Sequence, residues 1–203
     1  PGAEVLREAF DRTIGSCGLT PDEVAGARRR AVPVLEQFLA SEAVCPDEPV
    51  GVELGFGVEV GLAPGCMDGK ATIRFVGYVD RVDRAPDGST VVVDYKTGRQ
   101  RAQADVDADP QLTAYAFACA RGGLRDPATG AVLRPASRLA LYFAEAGETA
   151  WTTRTDEQLA AFETGLQETV ARIHARAFPA RPAPWRCRWC EYRRTCPEAS
   201  RGA

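Results

Sequence analysis

Two aspartates and one lysine lie at the ends of two adjoining segments that have the pattern of β-strands. The segment "VVVDYKTG" places Asp94 and Lys96 directly after three valines, and "GYVDRVD" before it holds Asp80. Alternate side chains of a strand share a face, so Asp94 and Lys96 are predicted to point the same way, with Tyr95 opposite. The turn "APDGS" between the segments can bring the carboxylates of Asp80 and Asp94 together.

This arrangement is suited to holding a divalent metal ion. Two carboxylates that approach each other repel unless a cation lies between them, and Mg²⁺ or Mn²⁺ prefers such oxygen ligands. Lys96 could orient a water or neutralise charge that builds on phosphorus, so the residues predict a metal-dependent phosphodiester hydrolase. The alternative is a surface ion pair between Asp94 and Lys96. Arg81, Asp83 and Arg84 are interpreted as solvated charges of that ordinary kind.

A polar pair follows on the next predicted helix. Asp109 before a proline is typical of a helix start, and Gln111 and Tyr115 come next with the spacing i, i+4. Residues four apart on a helix share one face, so the pair could hydrogen-bond substrate phosphate or the metal-binding carboxylates. Taken alone, such a pair is more often an ordinary helix-surface pair than a functional site.

Three of the seven cysteines are clustered in the tail segment "WRCRWCEYRRTCPE". Cys187, Cys190 and Cys196 form a C-x₂-C-x₅-C pattern, and thiolates suit zinc or an iron–sulfur cluster. Both usually take four ligands, so one ligand is missing from the motif. The alternative, burial in an apolar core without metal, is disfavoured by the polar flanking residues. Cys66 and Cys119 are interpreted as a loop residue and a helix-packing residue.

The composition is that of an ordinary globular protein. Of 203 residues, 45% are apolar and 26% charged, and the net charge of −3 predicts that any nucleic-acid binding uses local basic patches. One such patch interleaves basic and aromatic residues and suits nucleic-acid contact or a rim around a metal site: Trp185, Arg186, Arg188, Trp189, Tyr192, Arg193 and Arg194. No apolar run is long enough to span a membrane and no secretory signal opens the chain, so we expect a cytoplasmic location without a disulfide framework or membrane partner.

The local patterns predict alternating helices and strands. Helices are expected at 3–14, at 20–39 with a kink at Pro33, from 110, and at 155–177; strands are expected at 50–62, 71–83, 90–96 and 137–145. The three valines before Asp94 indicate a strand that is buried on both faces. This order predicts an α/β fold with a central mixed sheet flanked by helices.

Four motifs, in this order, resemble the RecB-like nuclease branch of the PD-(D/E)xK superfamily. They are "GYVDRVD" (77–83), "VVDYKTG" (92–98), "QLTAY" (111–115) and "CRWCEYRRTCP" (187–197). The resemblance implies a restriction-endonuclease-like core over 50–178. It leaves an N-terminal helical part at 1–49 and a cysteine tail at 179–203 that packs on the core.

The resemblance implies a role for each residue that matches a motif. It assigns metal binding to Asp80 and Asp94, and catalysis to both and to Lys96. It makes Gln111 and Tyr115 active-site residues that orient the site.

The same resemblance implies a second metal centre. Cys187, Cys190 and Cys196 would hold a [4Fe–4S] cluster, with zinc as the alternative, as a structural staple and not a redox centre. Glu53, in "VGVELGF", matches an acidic position that precedes the hairpin in this family, and a minor structural role is expected for it.

The expected activity is a Mg²⁺- or Mn²⁺-dependent deoxyribonuclease, most simply a single-strand exonuclease. DNA is the expected partner, together with a helicase domain or subunit. Two alternatives stay open: a catalytically inactive DNA-binding or scaffolding module of the same fold, and a zinc-ribbon-like interaction protein with an incidental acidic hairpin.

The sequence departs from the family in two ways. The family places a metal-ligating histidine on a helix before these motifs, whereas the only histidine here is His174, for which a solvated or packing role is expected. The family's first cluster cysteine also comes earlier. The helix at 3–14 resembles the part that follows that histidine, so a start at Pro1 would place both ligands upstream. Cys17 or Cys45 could substitute as the fourth cluster ligand.

Overall fold

A five-stranded mixed sheet forms the centre of the chain in the computed structural model, which describes residues 2–62 and 72–199. The strand order is β1-β2-β3-β4-β5, and all neighbours are antiparallel except β3 and β4, which are parallel. The strands are β1 (Glu48–Gly61), β2 (Thr72–Arg84), β3 (Thr90–Lys96), β4 (Ala136–Phe143) and β5 (Glu148–Thr152). This architecture confirms the predicted restriction-endonuclease-like α/β fold.

Helices cover both faces of the sheet. They are α1 (Ala3–Gly15), α2 (Pro21–Val44), α3 (Gln103–Asp107), α4 (Pro110–Ala120), α5 (Asp156–His174) and α6 (Pro184–Arg188), with a 3₁₀ turn at Glu191–Arg194. The main core lies between the sheet and helices α4 and α5. On the other face, Phe38 of α2 packs edge-on against Tyr95 and Tyr142. No helix within the two described ranges is long and apolar enough to cross a membrane.

Strand β3 is buried on both faces, as its three valines predict. Val92 faces the main core, whereas Val91 and Val93 belong to the second core beneath α2. Burial of such a side chain stabilises a fold by about 1.5–3 kcal/mol. The valines therefore fix the strand that carries Asp94 and Lys96 at its end.

Side-chain caps begin the helices where the sequence predicts them. Thr20 and Glu23 form a capping box at the start of α2, and Thr155 and Gln158 form another at α5. Asp109 caps α4 by accepting hydrogen bonds from two backbone N–H groups of its first turn. These caps satisfy donors that have no partner inside the helix.

Several boundaries differ from the sequence-based expectation. Helix α2 passes through Pro33 and ends at Val44, five residues beyond the expected end, and the added turn carries Glu42, which pairs with the buried Arg81. Helix α5 ends at His174 and not at residue 177. Strand β5 and helix α3 were not predicted, since each is five residues long and too short for a clear periodic pattern.

The expectation that Arg81 and Asp83 are solvated charges is wrong. Arg81 is 5% exposed and Asp83 2% exposed, and Arg81 Nε donates to Asp83 Oδ1 at 2.7 Å. Arg81 Nη1 also donates to Glu42 Oε1 of α2 at 2.7 Å and to the Tyr95 hydroxyl at 3.2 Å. Burial raises the pKa of Asp83, and the adjacent guanidinium opposes that rise. Helix α2 thus covers a charged cluster that the sequence alone places at the surface.

Arg84 behaves as expected. Its side chain is 43% exposed, and Nη2 pairs with Asp126 Oδ2 at 2.8 Å. The two neighbouring arginines of β2 therefore differ because α2 covers Arg81 but not Arg84.

Candidate active site

The two predicted metal-binding aspartates lie close together at the ends of β2 and β3. The last paired residues of the two strands are Arg81 and Val93, and Asp80 and Asp94 are the next residues beyond that pair. The charge of Asp80 is near enough to raise the pKa of Asp94. Asp80 Oδ2 accepts a hydrogen bond from the backbone N–H of Tyr95 at 3.0 Å. A carboxylate therefore bridges the strands at the point where their backbone ladder ends.

The alternation of side chains along β2 is interrupted between Val79 and Val82. Val79 and Val82 both face the main core although they are three residues apart, which strict alternation does not allow. The residue of β1 opposite Asp80 is Glu53, which has a φ of 51°, uncommon for a residue other than glycine. The Glu53 side chain is exposed. Its backbone lies beside Asp80 in the sheet.

Four of the predicted residues form a closed ring of contacts between β3 and α4. Lys96 Nζ lies 2.6 Å from Asp94 Oδ2 and donates to Gln111 Oε1 at 2.8 Å. Gln111 Nε2 donates to the Tyr115 hydroxyl at 2.7 Å. The Tyr115 hydroxyl in turn donates to Asp94 Oδ1 at 3.4 Å, a long and therefore weak hydrogen bond. Gln111 and Tyr115 thus lie on one face of α4, as their spacing predicts, and both contact the residues at the end of β3.

Asp94 is the most deeply buried member of the ring, with 1% of its surface exposed. Burial raises its pKa, Lys96 lowers it, and the charge of Asp80 raises it further. Despite the short ion pair, Asp94 Oδ2 has no aligned hydrogen-bond partner within the described part of the chain. A carboxylate oxygen has more than one lone-pair site, so Oδ2 can accept a further ligand beside the Lys96 ammonium.

Tyr115 stays protonated beside this carboxylate. Burial raises the pKa of Tyr115 to about 12; hydrogen bonding from Gln111 lowers it, and the charge of Asp94 raises it. The hydroxyl is therefore a neutral donor to Asp94 at physiological pH.

The start of α4 is held by the predicted cap Asp109 and by two arginines that no sequence motif indicated. Asp109 Oδ1 accepts from the backbone N–H of Gln111, and its Oδ2 accepts from Arg101 Nη1 at 2.8 Å. Arg154, which follows β5, donates to the backbone carbonyl of Asp109 at 3.0 Å and to Thr113 Oγ1 at 2.7 Å. The cap was visible in the sequence, whereas both arginines are distant in sequence and carry no local signal.

The three tail cysteines do not form a metal site in the described structure. Cys187 is buried in α6, Cys190 is exposed, and Cys196 is half-buried. Within residues 2–62 and 72–199, no three His, Cys, Asp or Glu side chains form a group that could hold a metal ion. The cluster predicted from the cysteine spacing therefore has no set of adjacent ligands in the described part of the chain.

The remaining singled-out residues lie away from the ring. Cys17 is exposed beyond α1, and Cys45 is half-buried after α2. His174 is the exposed last residue of α5. Cys119 is buried in the main core and packs there as expected, whereas Cys66 lies outside the described residues.

Comparison with protein-family models decides the affiliation of this chain. The model of the PD-(D/E)XK nuclease superfamily matches residues 2–197. The chain belongs to this superfamily. Membership implies a metal-dependent nuclease with DNA as its substrate.

Individual relatives of this PD-(D/E)XK nuclease are distant. No curated protein matches the chain. The crystal structure of SSO0001 is 16% identical, with a TM-score of 0.44, and the match covers 96% of this chain and 78% of that one. A similarity this low carries no argument about function.

The ring of this PD-(D/E)XK nuclease fits a divalent metal ion. Asp80 and Asp94 supply carboxylate oxygens, and Oδ2 of Asp94 is buried without an aligned donor. Mg²⁺ is usually held by only one or two protein carboxylates, with waters and substrate phosphate completing its shell. When bound, such an ion would polarise the phosphate and acidify a water.

The chain's own groups then have distinct tasks. The ring fixes the ammonium of Lys96 between Asp94 and Gln111, where it can hold a water or offset negative charge on a phosphate oxygen. Tyr115 and Gln111 hold the Asp94 carboxylate and Lys96 in place. Preorganised groups of this kind need little rearrangement during the reaction.

Proposed function

We propose that this chain is the nuclease domain of a RecB-like enzyme that degrades DNA from single-stranded ends. The observation that carries the proposal is the ring, in which the buried Asp94 pairs with Lys96 at 2.6 Å and lies near the charge of Asp80. The ordered motifs around these residues support the RecB-like assignment. An ordinary surface ion pair would not place a carboxylate with 1% exposure in such contacts.

The roles follow from the contacts. Asp80 and Asp94 would hold Mg²⁺ or Mn²⁺, and Lys96 would position the attacking water or stabilise charge on phosphorus. Gln111 and Tyr115 would hold the side chains of Asp94 and Lys96 in position, since their hydrogen bonds connect these two residues through α4.

The test is degradation of end-labelled single-stranded DNA with Mn²⁺. The parent chain is compared with Asp94→Asn and Lys96→Met, which keep side-chain size and remove charge. Each variant should lose about 100- to 1,000-fold in rate. Asp105→Asn, an exposed acid on α3, is the matched control and should cleave like the parent. Equal activity in all four proteins would contradict the proposed site.

A circular substrate separates the modes of cleavage. An exonuclease degrades linear single-stranded DNA and leaves a closed single-stranded circle intact. Labels at the two ends then show the polarity. Cutting of the circle would replace the exonuclease assignment with an endonuclease.

The alternative function is an inactive DNA-binding or scaffolding module. It is favoured by one observation: the only histidine of the chain, His174, lies at the exposed end of α5 and outside the ring. This module would bind the labelled DNA without metal-dependent cleavage. If a longer chain with upstream sequence then cleaved, the nuclease would be restored and the inactive module excluded.

We also propose that Cys187, Cys190 and Cys196 take part in a [4Fe–4S] cluster, supported by their spacing and the family resemblance alone. Anaerobic purification should then give visible absorption typical of the cluster, and Cys190→Ser should remove it. A colourless protein with bound zinc would favour the zinc alternative. A protein that contains neither iron nor zinc would contradict the proposal that the tail binds a metal.

The same resemblance supports a division into residues 1–49, 50–178 and 179–203, and association with a helicase domain or subunit. Limited proteolysis should cut first in the link at residues 45–47, just before β1, and near residue 178 after α5 if these units are distinct. Cuts within the sheet would contradict the division.

A further inference from the structure

Three large aromatic side chains are presented to solvent by the tail. Trp185 is 66% exposed, Trp189 80% and Tyr192 74%, all within eight consecutive residues. We call residues 185–194 the tail surface. Large aromatic groups that are exposed together on a soluble protein commonly mark an interaction site.

Each of these aromatics has an arginine beside it in sequence. The guanidinium of Arg186 lies 4.7 Å from the Trp185 ring centroid, and that of Arg188 lies 5.4 Å from the Trp189 ring centroid. Cation–π contacts at such distances are favourable and hold a positive charge next to the ring. Tyr192 is followed directly by Arg193. Each tryptophan of the tail surface is therefore an exposed ring with a cation against it, and Tyr192 adds a third exposed ring.

The positive charge of this region is local. Residues 176–199 contain six arginines and two glutamates, whereas the whole chain has a net charge of −3. The remainder of the chain is thus acidic on balance. Residues 176–199 are therefore a locally positive region that favours contact with a polyanion.

We propose that the tail surface binds single-stranded DNA, with bases stacked on Trp185, Trp189 and Tyr192 and phosphates on the adjacent arginines. The inference rests on the proposed function in taking DNA as the substrate. A nucleotide offers a flat base and an anionic phosphate, which match the exposed ring and the adjacent cation at each tryptophan. Bases of a duplex are already stacked on one another, so only single strands present free faces to the rings.

The experiment uses the tryptophans of the tail as probes. The chain has three tryptophans, so Trp151→Phe leaves Trp185 and Trp189 as the only ones. Short oligothymidylate is added to this protein without divalent metal, and tryptophan emission is followed. Stacking should quench the emission in a saturable way. The matching duplex should quench far less, and dextran sulfate, a polyanion without bases, should not quench.

Variants then separate stacking from charge. Trp189→Ala should weaken binding of labelled oligothymidylate, followed by anisotropy, about 5- to 100-fold. Arg188→Gln should reduce the slope of log affinity against log salt by about 0.7. Arg29→Gln, an exposed arginine of α2, is the matched control and should change neither.

Two results would overturn the inference: quenching by dextran sulfate equal to that by the oligonucleotide, or unchanged affinity in Trp189→Ala. Because binding is measured without metal, these failures are separate from those of the nuclease. If the variants of the tail surface lose DNA binding but the parent chain never cleaves DNA, the inference holds and the proposed nuclease activity is contradicted. If the chain cleaves DNA and its binding does not depend on the tail surface, the nuclease activity holds and the inference is contradicted.

Discussion

Lys96 Nζ donates a hydrogen bond to Gln111 Oε1 at 2.8 Å, and this contact joins the end of β3 to the first turn of α4. The two residues belong to different motifs fifteen positions apart. Through Gln111 the contact continues to Tyr115 and back to Asp94. The proposed catalytic lysine is therefore positioned by helix α4 as well as by its own strand.

Gln111→Leu should lower the turnover rate because it removes the contacts to both Lys96 and Tyr115 and keeps a similar volume. Loss of groups that orient metal-site residues typically costs about 10- to 100-fold. Single-turnover cleavage under saturating substrate measures the effect, and KM should change little. Gln100→Leu, an exposed residue after β3, is the control. An unchanged rate in Gln111→Leu would show that the ring is not needed for turnover.

Asp109→Ala should reduce both stability and activity. The variant loses the cap of α4, which typically costs about 0.5–2 kcal/mol, and it frees the segment that carries Gln111. Thr155→Ala removes the cap of α5 and is the matched comparison. Chemical denaturation should show similar losses in the two variants, whereas cleavage below the transition should fall only in Asp109→Ala. Equal activity would indicate that the cap serves stability alone.

Arg81→Met should destabilise the fold strongly because it leaves Asp83 buried without its ion-pair partner. Breaking a buried pair from one side typically costs about 3–5 kcal/mol. The double variant Arg81→Met with Asp83→Leu should recover much of that loss, since no buried charge is then unpaired. Denaturant unfolding measures each free energy.

The neighbouring Arg84→Met provides the control for this series. Its side chain is 43% exposed, so we expect a change of about 1 kcal/mol or less. Equal losses in Arg81→Met and Arg84→Met would mean that α2 does not cover the charged cluster.

Cys119 should make stability depend on alkaline pH. Burial raises its thiol pKa from 9.0 to about 12, so between these values the unfolded chain releases a proton that the folded chain keeps. The contribution of the Cys119 thiol to the free energy of unfolding is therefore fully present below pH 9. Between pH 9 and pH 12 it falls by up to about 1.4 kcal/mol per pH unit. Unfolding of the parent and of Cys119→Ala at several pH values tests this, and the variant should show a shallower decline. Parallel curves would contradict the shift.

A thiol reagent offers an independent check of the same residue. Exposed Cys17 should react quickly with the folded protein, whereas Cys119 should react only on unfolding. Mass spectrometry of the labelled peptides distinguishes the two sites. Rapid labelling of Cys119 in the native protein would show that its helix opens readily.

The sequence by itself determined the features that depend on a few neighbouring residues. Three successive valines specify a strand buried on both faces, and Thr20, Asp109 and Thr155 specify helix starts through their own side chains. The spacing of Gln111 and Tyr115 places them on one helix face whatever lies opposite. Such signals need no knowledge of distant contacts, so they could be read correctly.

Only the tertiary structure decided which charges are buried and which distant residues hold the site in place. Arg81 and Arg84 are alike in sequence context, yet α2 covers one and leaves the other exposed. The hydrogen bonds from Arg154 to the start of α4 join segments that are far apart in the chain. Burial and long-range hydrogen bonds are properties of packed elements, and no local pattern encodes them.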